Sequence, residues 1–105
     1  MALAITAPVP VAHSGESDPA QFAEALVGEA LPDIVGTTDT SGGNVKIEVS
    51  GPQVDAAITF AATLFAFSTA GKLMVVPQAP GMYSVKVTDV TSGNEVDSQI
   101  EVFES

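Results

Sequence analysis

The last 25 residues alternate. Tyr83, Val85 and Val87 are interleaved with Ser84, Lys86 and Thr88, and Val96, Ile100 and Val102 with Asp97, Gln99 and Glu101. A period of two sends the apolar set to one face of a strand and the polar set to the other, a pattern that a helix cannot keep on one side. Ser92-Gly93-Asn94 separates the two runs, so the segment predicts a β-hairpin with one buried face. Val45, Ile47 and Val49 alternate with Lys46, Glu48 and Ser50 in the same way and predict another strand, ended by Gly51-Pro52.

Between these strands the pattern is less decisive. Ile58, Phe60, Ala62, Leu64 and Ala66 share one face of a long second strand, with Thr59, Thr63, Phe65 and Phe67 opposite. The alanines leave strand and helix both open over Ala56–Ala70. Leu73–Val76 reads as a short strand ended by Pro77. Only Lys72 is charged across Ala56–Val76, a stretch of nearly membrane-spanning length. Its threonines, Ser68 and Gly71, and the lack of flanking bases, favour a buried strand pair or a strand and a short helix.

Residues 1–16 read as an extended arm. Leu3, Ile5, Val9 and Val11 share odd parity, and Pro8 and Pro10 confine any strand pairing to an edge. No lysine or arginine precedes Lys46 and the prolines interrupt the apolar run, so a secretory signal is not expected. A short helix is predicted over 19–31. Asp18 stands at its N-cap, Pro19 at its first position and Gln21 where a capping box wants its partner. Phe22, Leu26 and Ala30 recur at helical spacing, Gly28 weakens the middle by about 1 kcal/mol, and Pro32 ends it. Residues 33–44, rich in glycine and threonine, read as a linker. The expected organisation is an arm over 1–43 and a β-sandwich domain over 44–105.

The 105 residues suffice for one domain, with roughly 64% of the unfolded surface buried. Without cysteine there is no disulfide and no thiolate metal site. Thirteen acids against three lysines give a net charge of −10 with no arginine at all. Such a chain lacks the cations that neutralise phosphate, so neither nucleic acid nor a membrane is expected as a partner. Charged residues make up 15% of the chain, against about 25% in an ordinary domain. The uncharged surface that results suits contact with another protein.

His13, Ser14, Glu16, Ser17 and Asp18 include the residue types of a nucleophilic triad, but they are adjacent on one polar loop rather than convergent. Asp89, Asn94, Glu95 and Asp97, and likewise Asp33, Asp39 and Asn44, supply oxygens without calcium-loop spacing and read as turns. No catalytic residue, metal site or cofactor is therefore expected, and the chain reads as a non-enzyme. The candidate partner-binding residues are Leu3, Ile5, Val9 and Val11 on the arm, and Phe65 and Phe67. Those two phenylalanines, like Phe103, lie opposite the best core face of their strands.

The run from Ala79 to Asp89, Ala-Pro-Gly-Met-Tyr-Ser-Val-Lys-Val-Thr-Asp, resembles the closing hairpin of immunoglobulin-like and PKD-like β-sandwiches. Gly81 turns the chain into the strand, and Tyr83 can bury its ring while its hydroxyl reaches a backbone group, as in a tyrosine corner. The resemblance implies a mainly β fold: an immunoglobulin-like sandwich with an extended N-terminal arm and one short helix. The chain departs from antibody-type domains in lacking both cysteines and any tryptophan. It is also short for seven strands of average length, so the sandwich is minimal, borrows a strand from the arm or is completed by another copy.

The layout, an uncharged arm before an acidic β body, is similar to that of small bacteriophage capsid decoration (cement) proteins. That similarity implies a virion structural protein made in the host cytoplasm and bound to the outer capsid surface through its arm and β domain. Its partners would be the major capsid protein or another virion protein, with the chain as a homo-oligomer or beside lattice neighbours. The alternative is an immunoglobulin-like adhesion or carbohydrate-binding module.

Overall fold

A computed structural model of the chain describes residues 2–8 and 22–104. Eight strands lie among them: β1 (Ala4–Ala7), β2 (Phe22–Leu26), β3 (Val35–Thr37), β4 (Asn44–Gly51), β5 (Val54–Ala61), β6 (Ala66–Ser68), β7 (Gly81–Asp89) and β8 (Glu95–Phe103). They form a five-stranded sheet in the order β2-β8-β7-β4-β5 and a three-stranded sheet in the order β1-β3-β6. Every pairing is antiparallel except that of β2 with β8. The molecule is 18 Å deep along its shortest axis, the depth of two sheets packed about 10 Å apart with their outer side chains. This is an all-β fold of two sheets, compatible with a β-sandwich.

Strand parity builds the core. Register sets Ala56, Val49, Val85 and Ser98 in one transverse row, Ile58, Ile47, Val87 and Val96 in the next, and Phe60, Val45 and Asp89 in a third. Tyr83, Ile100 and Ala23 make a row toward the other end. Val45, Ile47, Val87, Tyr83 and Ile100 have no solvent exposure, and each buried Val or Ile contributes about 1.5–3 kcal/mol. The polar positions between them form the wet face. There Lys46 meets Glu48 at 3.9 Å and Lys86 meets Glu95 at 3.4 Å, exposed pairs of little energetic weight.

Two aromatic rings pack over glycines of neighbouring strands, one in each sheet. Tyr83 lies over Gly51, where an added Cβ would come within 2.5 Å of its ring. Its single hydroxyl proton is shared between Ala79 O at 2.7 Å and Pro52 O at 3.0 Å, which ties β7 to the β4–β5 turn. Phe67 lies over Gly36 in the small sheet, and a Cβ there would also collide with the carbonyl of Ala4.

Three expectations are corrected. Phe22–Leu26, inside the helix expected over 19–31, is a strand, and no helix occurs among the described residues. The pentapeptide Phe-Ala-Glu-Ala-Leu also fits a period of two, with Ala23 buried and Glu24 and Leu26 exposed. The edge of β8 supplies its main-chain partners, whereas a lone helix of about 13 residues is marginal in water. Beyond it Gly28, at φ +86°, breaks any helix. The long second strand ends at Ala61; the chain reverses at Leu64-Phe65 and returns as β6. Leu73–Val76 is not a strand, although Val75 O accepts the N–H of Leu31 at 2.8 Å. No helix among the described residues is long and apolar enough to cross a membrane.

Gly51→Ala is expected to cost about 1–3 kcal/mol, because the added methyl displaces the Tyr83 ring. Tyr83→Phe, which keeps the ring and loses the hydroxyl, is expected to cost about 1 kcal/mol. Urea unfolding of the two variants checks both values.

Candidate functional site at the loop end

Antiparallel pairing gathers three chain reversals at one end of the molecule: the loop 38–43 before β4, the β5–β6 turn and the β7–β8 tip. They are hydrogen-bonded to one another rather than free. Gly42 N–H donates to Leu64 O at 2.7 Å, Ala62 N–H to Gly43 O at 2.9 Å, Thr38 N–H to Phe65 O at 2.8 Å and Val90 N–H to Asn44 O at 3.0 Å. The buried Thr38 hydroxyl closes the loop on itself, donating to Thr40 O at 2.7 Å and accepting from Thr40 N–H at 2.9 Å.

Leu64 stands at the outer corner of this end. Thr63 and Ala66 exchange both backbone hydrogen bonds across a two-residue turn, and Leu64 takes the first central position at φ +56°. Glycine is the usual residue there, since a Cβ is crowded in the left-handed region. Leu64 is nevertheless 72% exposed. Val90, at the neighbouring tip, is exposed as well. A groove of about 250 Å³ runs along the seam between β5 and β6, with Phe60, Ala61, Phe67 and Ser68 among its walls. Lys72 stands at its rim with Nζ 5.3 Å from the Phe60 ring centroid, a cation–π contact.

Strand parity also carries Asp89 inward, in line with Tyr83, Val85 and Val87. It is fully buried. Its Oδ1 accepts the N–H groups of Thr91 and Ser92, both at 3.0 Å. Among the described residues its Oδ2 has no hydrogen-bond donor. Asp39 and Thr40 lie against the same carboxyl. Thr40 directs its hydroxyl to Asp39 Oδ1 at 3.4 Å, and Asn94 Nδ2 donates to Asp39 Oδ2 at 2.5 Å. Burial pushes the Asp89 carboxyl up, but the polar groups around it, the Asp39 side chain, the Ser92 N–H, the Thr40 side chain and the Thr91 N–H, outweigh burial and lower it to about 2.

The expected partner-binding residues are distributed differently from one another. Ile5 is buried in β1 and Phe67 in β6, aligned across Gly36. Leu3 is half-buried against the core, and Phe65 is half-buried in the turn beside Leu64. Val9 and Val11, and the polar loop His13–Asp18, lie outside the described residues. Of the acidic tip, Asp89 and Asn94 converge, but with Asp39 from another loop, while Glu95 faces Lys86 on the wet side. Leu64 and Thr40 were not singled out from the sequence. No glycine marks the Leu64 turn, so nothing local distinguishes it from continuing strand.

No family model and no curated protein matches the chain. Exposed apolar side chains, an apolar groove and a buried carboxyl thus lie together at this end.

Because Asp89 is held below its unfolded value of 3.8, at about 2, its ionised form stabilises the fold. That contribution is present above the unfolded value and is lost as pH falls through about 2. Asp89→Asn is therefore expected to melt below the wild type at neutral pH, with the difference narrowing between pH 4 and pH 2 in thermal scans.

Proposed function

We propose that the chain is a non-enzymatic structural module that docks on a larger protein assembly, as a capsid cement or decoration protein does on a phage shell. One observation carries the reading: Leu64, an exposed apolar side chain held on strained backbone. Strain of this kind costs about 1–3 kcal/mol and persists where function requires it. The fold gains little from a side chain that is 72% exposed. The groove beside it offers a partner an apolar seat, and hydrogen bonds between the three reversals keep the surface preformed.

The tyrosine at the start of β7, bonded four residues upstream to Ala79 O, supports the immunoglobulin-like reading of the two-sheet body. The capsid setting rests on layout: an acidic β body carrying −10, preceded by an apolar N-terminal segment. Its partner would be the major capsid protein or another virion protein, and repetition on a lattice would let a small contact suffice. In that setting the site of action is the outer capsid surface. The polar atoms of Asp39, Asp89 and Asn94 at the same end favour one alternative, an adhesion or carbohydrate-binding module.

Leu64→Gly separates docking from stability. It is expected to raise stability by about 0.5 kcal/mol by relieving the left-handed residue. It is also expected to move the chain from the fast-sedimenting particle fraction of its source to the free fraction. Wild type found only as a free small species would overturn the docking reading. A saturable oligosaccharide-dependent shift of the Asn94 amide resonances would favour the alternative.

A further inference from the structure

Among the described residues no positive charge stands at the Asp39–Asp89 contact. Lys46 is engaged by Glu48, Lys86 by Glu95 and Lys72 by the Phe60 ring, and the sequence has no arginine. Among the described residues Asp89 Oδ2 is sealed from solvent without a donor, and the Asp39 side chain lies against the same carboxyl. Carboxyl groups held in contact repel each other once ionised, and a cation between them offsets that repulsion. Leaving a buried carboxylate oxygen with neither a donor nor a cation is costly.

We propose that Asp89 Oδ2, the Asp39 carboxylate, the Thr40 hydroxyl and the Asn94 side-chain oxygen bind a calcium ion. The ion pins the loop 38–43 to the β7–β8 tip. Asn94 joins by turning its amide over, so that its oxygen, rather than the Nδ2 now donated to Asp39, faces the ion. All four donors are oxygen, which selects a hard cation. They come from two loops of irregular geometry, which suits calcium's flexible coordination of six to eight oxygens; magnesium demands a near-ideal octahedron. Asn94 is exposed, leaving one side open for water ligands. Among the described residues no three carboxylate or imidazole groups converge, so affinity falls in the weak range of about 10⁻⁴–10⁻³ M. The site is independent of docking by Leu64.

The test uses the full chain after EDTA treatment, melted in calcium or magnesium chloride at matched ionic strength. Calcium is expected to raise the melting temperature saturably, and magnesium to raise it far less. The backbone N–H resonances of Thr91, Ser92 and Asn94 should shift with the same midpoint. Asp39→Asn, which leaves buried Asp89 in place, should weaken calcium binding at least tenfold, while Glu29→Gln, removing the same charge from an exposed loop, should not. Equal effects of the two cations, or an undiminished calcium response in Asp39→Asn, overturns the proposal. So does a wild type whose melting temperature ignores calcium, whatever the stability of Asp39→Asn.

Discussion

The pairing of β4 with β7 governs the rest of the structure. It sets Val49 beside Val85, Ile47 beside Val87 and Val45 beside Asp89, and fixes which face of the larger sheet is dry. Alternation does not stop where the apolar residues stop. The parity that buries Tyr83, Val85 and Val87 also buries Asp89, so a carboxyl closes the inner row. Two backbone N–H groups of the following turn answer one of its oxygens. The loop before β4 brings Asp39 and Thr40 against the group. The arrangement of the loop end thus follows from the register of two central strands.

That register explains what was legible in the sequence. The β7–β8 hairpin, β4 and the tyrosine with its backbone partner could be read directly, since each depends on spacing within one short run. The strand at Phe22–Leu26 could not. Its residues satisfy both periods, and the deciding partner, β8, lies more than seventy residues downstream. The reversal at Leu64 was hidden because it uses a residue that such turns disfavour. At the loop end Asp89 and Asn94 were visible as acidic and amide groups on a tip, but their company was not: Asp39 reaches Asn94 across 55 positions. Local spacing encodes faces and turns; it does not encode which loops meet.

The molecule also divides its apolar surface. Leu64 and Val90 lie at the loop end, whereas Leu26 and Phe103 are exposed neighbours across the β2–β8 pair toward the opposite end. The wet face of the larger sheet lies between, with its lysines already matched to glutamates. A net charge of −10 opposes indiscriminate association of copies while leaving these uncharged corners available.

The parallel pairing of β2 with β8 has a mechanical consequence. The backbone of β2 runs alongside β8 in the same direction, joined from Phe22–Gln99 to Leu26–Phe103. Tension drawing Phe22 backward and Phe103 forward would load the ladder between them in shear, so that its rungs resist together instead of parting one at a time. A strand that could be peeled away if anchored differently becomes a fastening when force travels along the chain.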